Sequence, residues 1–143
     1  MSASNQYPGH RLGLPVHGPG SLAGFWRRVG GICTDWAIAL FLANPIVALL
    51  SRIESRDDSA YFNLVTLLIF ALIQWIFVAF PGFAPGHRLF GIRVIRLDAR
   101  PNVGLWRSLL RVSMILLVLP PTIWDADGRG LHDKAAGTVL VRI

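Results

Sequence analysis

The chain has little with which to do covalent or redox chemistry. It holds one cysteine, Cys33, so no internal disulfide can form and no CxxC pair is available for a metal or a redox couple. The patterns GxSxG, GxxxxGK[ST] and HExxH are missing as well. With them go the nucleophile elbow, the phosphate-cradling loop and the zinc-protease helix. The apolar segments contain no neighbouring carboxylates for acid–base work. These absences point away from an enzyme, and neither a cofactor nor a metal site is expected. The first twenty residues lack the apolar region of a cleavable signal peptide.

Charge is scarce too. Charged residues make up 15% of the chain, against about 25% for a typical soluble domain. Mean hydropathy is +0.51. The net charge of +6 comes almost wholly from arginine, with a single lysine, Lys134. A basic excess suits nucleic acid or anionic lipid. In a chain with long apolar blocks, the positive bias of cytoplasmic loops explains it more simply, and no nucleic-acid partner is expected.

What is abundant is apolar sequence in blocks. Val29 to Leu50 is 22 residues with one charge, Asp35. About 20 apolar residues suffice to cross a bilayer as a helix. A first membrane helix is expected over 25–50, with Phe25 and Trp26 at the interface, Arg27 and Arg28 at its rim and Pro45 as a kink. Residues 51–61 form a polar loop, and 62–80 form a second, uncharged membrane helix in which Gln74 can bond across a helix contact. Pro81-Gly82 and Pro85-Gly86 end it. A third block, Val112 to Trp124, has 13 residues and is interrupted by Pro120-Pro121. It is short for a span, so it either re-enters or spans, and re-entry is favoured.

Between these blocks, Ile92 and Val94 alternate around Arg93, which predicts a short strand within residues 91–97. Thr138 to Ile143 supplies a partner strand, since a lone strand is not stable. A helix is expected from about Val103 with Asn102 as N-cap. Residues 1–20, rich in Pro and Gly, are expected to be a disordered cytoplasmic tail that includes solvated His10 and His17. The membrane domain is then 21–143. The fold class is an all-α integral membrane protein with a small cytoplasmic strand pair. With a re-entrant third block, 12 of the 14 Lys and Arg fall on one side, leaving Arg52 and Arg56 on the other; this puts the N-terminus in the cytoplasm.

Two constellations stand out. Asp35 costs about 2.5–3.5 kcal/mol at the centre of a membrane helix even on gentle scales, so it needs a partner or a task. Arg28 lies seven residues before it on the same face, too far for an easy direct pair. Arg107 and Arg111, four apart on another helix, are the candidate ion-pair partners. The alternative is a protonatable or cation-binding Asp35 in a transport path. The segment Gly128 to Thr138 is the second constellation. A turn organised by Asp133 is favoured there, beside a His132 able to titrate near neutral pH.

The segments FWRRVGGICTD (25–35), PGHRLFGIRVI (85–95) and GRGLHDKAAGTVLV (128–141) resemble the RDD family of small bacterial membrane proteins. The resemblance covers about residues 24–143. It implies that the eponymous residues are Arg28, Asp35 and Asp133, with Gly86, Arg88, Gly91, Gly137 and Thr138 in the accompanying turn and strand motifs. His87 stands where the family often has Lys. The resemblance also implies a multi-pass protein of the bacterial inner membrane. The expected function is a non-catalytic accessory or scaffolding subunit that binds another membrane protein or its own copies. The rival is an oligomeric transporter of cations, protons or a small solute through Asp35.

Overall fold

The computed structural model describes residues 7–54, 59–117 and 128–143. Two long helices dominate it, α1 (Phe25–Glu54) and α2 (Ser59–Ala79). Asp35 meets Gln74 and Trp36 meets Phe70, so the two run antiparallel. Both match the expected apolar blocks. α1 continues four residues past Leu50, because nothing in the sequence Ser-Arg-Ile-Glu breaks a helix.

Their burial runs opposite to that of a soluble helix. The inward stripe of α1 is Arg28, Gly31, Asp35, Ala39 and Ala43, and that of α2 is Thr66, Phe70, Gln74 and Val78. These recur at helical spacing, so each helix offers one face of small or polar residues to the other. The large apolar side chains face outward: Phe41, Leu49 and Ile53 on α1, and Leu64, Leu68 and Leu72 on α2. Only 11% of the most apolar stretch of α1 is buried, and 33% of that of α2. The buried core helix of a soluble protein would be mostly covered, so both helices have the length and the exposed apolar surface of membrane spans.

After α2 the chain turns through Pro81 and Gly82 into α3 (Pro85–Leu89) and then β1 (Ile92–Arg96). Next come α4 (Leu105–Leu117), α5 (Leu131–Ala136) and β2 (Thr138–Arg142). β1 and β2 pair antiparallel with Val94 opposite Leu140, the pairing expected from the sequence. Ile92 and Val94 join Ala23, Val78, Ala84, Val103 and Leu140 in a small apolar core at this end of the helix pair.

Three expectations are corrected. The tail expected to be disordered over 1–20 is ordered throughout its described part, residues 7–20, and residues 1–6 lie outside the described residues. Tyr7 donates to the Leu14 carbonyl at 2.8 Å, and the Gly20 N–H reaches the Arg142 carbonyl at 2.8 Å. Leu22 bridges Val141. Gly9 and Gly13 take positive φ there, so glycine builds tight turns rather than disorder. Second, α3 and α5 are helices where turns were expected. At five and six residues they are too short to show a helical period. Third, α4 starts at Leu105. Its first turn closes on the Gly104 carbonyl, leaving Asn102 outside the helix. The third apolar block is described only as far as Leu117. Pro120-Pro121 and the path of that block across or back into the membrane lie outside the described residues.

A buried polar cluster as candidate functional site

The inward stripes of α1 and α2 bring polar groups together on the side where α3, α4 and α5 dock. Asp35 is fully buried. One of its oxygens accepts the Gly86 N–H at 2.6 Å and the other accepts the Gln74 side-chain N–H at 2.7 Å. It thus ties α1 to both α2 and α3. Gln74 is five residues from the end of α2, so Asp35 lies within about 8 Å of that end rather than at mid-span. α1, at 30 residues, is about 45 Å long, longer than the ~30 Å hydrocarbon core. Its first turns therefore project past the end of α2 and carry Arg27 and Arg28 with them.

Gly86 makes this contact possible. A Cβ there would collide with the Gly31 carbonyl oxygen and lie 2.9 Å from an Asp35 oxygen. At Gly30, a Cβ would overlap the Phe90 ring. The sequence Gly30-Gly31 thus lets α3 seat its backbone directly on α1.

A second tie joins α4 to α5. Arg111, 1% exposed, donates from Nε to Asp133 at 2.8 Å, and Asp133 is itself fully buried. Burial alone would raise the Asp133 carboxyl. The Arg111 guanidinium, with the adjacent His132 and with Arg28, reverses this and holds it below the usual carboxylate range. Thr138 Oγ1 reaches the same Asp133 oxygen at 3.3 Å. Arg107 donates to the Ala136 carbonyl at 2.8 Å and lies 3.7 Å from Asp98. Neither Arg107 nor Arg111 forms an ion pair with Asp35. Arg111 spends its contact on Asp133, so the arginine expected beside Asp35 closes α5 instead.

Arg28 is buried and donates from Nε to the Ala23 carbonyl at 2.8 Å. Arg28, Asp35, Arg111 and Asp133 amount to two positive and two negative buried charges. Such a set is tolerable because Asp133 is paired with Arg111 and Asp35 is hydrogen-bonded at both oxygens.

Two histidines complete the cluster, and both are neutral. Burial, reinforced by Arg111, pushes His87 down to about 3. Burial pushes His132 down to about 4 despite the adjacent Asp133. His132 does not titrate near neutral pH, contrary to the sequence expectation, because α5 carries it inside. His87 Nδ1 accepts the Ala84 N–H at 3.3 Å, which assigns the ring proton to Nε2. A cavity of about 10 Å³ lies between Arg28, His87, Arg111 and His132, room for about one water molecule.

The remaining motif residues shape the surroundings. Gly91 takes positive φ in the turn before β1, and Gly137 does the same where α5 ends. Arg88 is exposed and stacks on Phe83. Sequence reasoning missed His87 and Ser108 as cluster members. Ser108 donates to the Trp75 carbonyl at 2.6 Å, and the Trp75 indole N–H donates to the Leu105 carbonyl at 2.9 Å. These bonds and Gly104 N–H to Ala79 stitch the start of α4 to the last turn of α2, satisfying carbonyls that a helix end leaves open. Cys33 is exposed on the outer face of α1.

The sequence model of the RDD family matches residues 22–137. No curated protein and no solved structure matches the chain.

Proposed function

The chain belongs to the RDD family, and from that premise we propose that it is a non-catalytic accessory or scaffolding module of the membrane. On this reading α1 and α2 cross the bacterial inner membrane, with the N-terminus and the strand pair in the cytoplasm. The observation that carries it is the use made of the buried charges. Asp35 is occupied by Gly86 and Gln74, and Asp133 by Arg111. The cluster thus acts as an internal clasp between helices. The nearby cavity is of single-water size, too small for a hydrated cation. The rival, an oligomeric transporter working through Asp35, would need that carboxylate to meet water, and it is fully buried.

Two spans bury little surface by themselves, so a membrane-protein partner or further copies of the chain complete the unit. The bulky outward side chains of α1 and α2 are the surface available for that. The test is extraction in mild detergent followed by mass measurement of the intact complex. The reading expects a fixed complex with a second membrane protein or with a defined number of copies. Recovery of a lone monomer from native membranes under several mild detergents would reject it.

A further inference from the structure

Two arginines at the end of α2 have no acid to pair with among the described residues. Arg96, Arg107 and Arg111 each lie within ion-pair distance of an aspartate. Arg88 and Arg93 do not, and both sit against the same turn. The Arg88 guanidinium lies 5.0 Å from the centre of the Phe83 ring. Arg93 covers the preceding residue, with its Nε 3.1 Å from where a Cβ would stand on Gly82. That Nε is buried and has no hydrogen-bond partner among the described residues. The Val94 N–H donates to the Gly82 carbonyl, which fixes β1, and so Arg93, against the turn. Next to this turn and to Arg88 in the chain are two outward apolar side chains, Phe80 at 54% and Leu89 at 73% exposure.

The level of this corner follows from α2. The helix ends at Ala79 after 21 residues, a length of about 32 Å, so in a bilayer the turn that follows lies at headgroup depth. A guanidinium presents a planar fork suited to phosphate oxygens. Cations at headgroup depth with apolar side chains alongside match a molecule that is anionic at one end and acyl at the other.

We propose that Arg88 and Arg93 hold the phosphate of an anionic phospholipid of the adjacent leaflet, with Phe80 and Leu89 against its acyl chains. A free phosphate shares the headgroup chemistry but makes no use of the apolar flank, so the lipid is the occupant. The inference rests on the reading of α1 and α2 as membrane spans.

The test uses full-length protein in neutral detergent, titrated with phosphatidylglycerol or phosphatidylcholine, with bound lipid counted by native mass spectrometry. The wild type should retain phosphatidylglycerol in preference to phosphatidylcholine. Arg88→Gln and Arg93→Gln should each weaken retention by about fivefold, the worth of one arginine near an anionic surface. Arg100→Gln, which removes an exposed arginine elsewhere, should leave retention at the wild-type value. The proposal is overturned if the double variant binds as the wild type does, if Arg100→Gln costs as much, or if both lipids bind equally. Displacement of the lipid by inorganic phosphate at millimolar concentration would assign the site to free phosphate and overturn it too. Carbonate extraction of cell membranes checks the underlying reading separately. A wild-type protein released by carbonate would reject the spans, whereas a protein kept in the membrane with unaltered lipid binding in the variants would reject only the lipid site.

Discussion

Asp133 and Arg111 form a charged tie between α4 and α5, and each is almost wholly buried. Removing one partner leaves the other charge uncompensated, which costs roughly 3–5 kcal/mol. Asp133→Asn should therefore lower the unfolding midpoint sharply in detergent. Asp98→Asn, at an exposed carboxylate bonded to Arg96, should leave it unchanged. The double replacement Arg111→Met/Asp133→Leu should recover much of the loss, because apolar groups of similar volume satisfy such a site. The two histidines give a pH dependence of definite sign. His87, facing Arg111, Asp133 and His132, is held down to about 3, and His132, facing Asp133, Arg111 and Arg28, to about 4. In the unfolded chain both titrate near ~6.5. As pH falls below that value the unfolded state takes up protons first, so stability present at neutral pH is lost from about 6.5 down toward 4. Asp133, held below its usual range, adds a loss at lower pH still. Equilibrium unfolding followed between pH 7.5 and about 4.5 should show this slope, and His132→Gln should reduce it. Asp35 was legible as a costly residue because it stands alone in an apolar run. Gln74 was legible as a group that bonds across a helix contact, but neither it nor Gly86 was legible as a partner of Asp35. A backbone N–H in a five-residue helix leaves no sequence signal, and the glutamine that meets it lies 39 residues away.

At the level of elements, the seat of α3 on α1 depends on Gly86 and the Gly30-Gly31 pair. Gly86→Ala drives a methyl group into the Gly31 carbonyl, an overpacking of roughly 1–3 kcal/mol. It should also detach Asp35 from its backbone donor. Gly24→Ala, where nothing lies within 4 Å, should be neutral. Comparing the melting midpoints of the two variants checks the claim. The long helices and the strand pair were readable, since α1 and α2 carry unbroken apolar runs and Ile92 and Val94 alternate. α3 and α5 were hidden because each is stabilised by docking, not by its own period. The Pro-Gly-rich start of the chain was misread because its composition is shared by disordered segments and by compact turns. The hydrogen bonds of Gly20 and Ala23 to β2 distinguish the two, and they are visible only in three dimensions.

For the whole molecule, the inverted pattern of burial is the main physical argument for a membrane setting. Cysteines introduced at exposed Ser59 and exposed Arg100, in a Cys33→Ala background, test orientation. An impermeant thiol reagent added outside intact cells should label the first and spare the second. Labelling of Arg100→Cys alone would invert the topology. The central claim is that Asp35 holds helices together and does not carry ions. Its most direct test is ion and proton flux in reconstituted vesicles, measured for the wild type and Asp35→Asn alongside their melting midpoints. Asn keeps one acceptor for Gly86, and Gln74 can turn its amide to meet the other end, so that variant should still assemble. The account predicts no flux from either protein above that of empty vesicles. Flux through the wild type that disappears in a folded, fully assembled Asp35→Asn would contradict it.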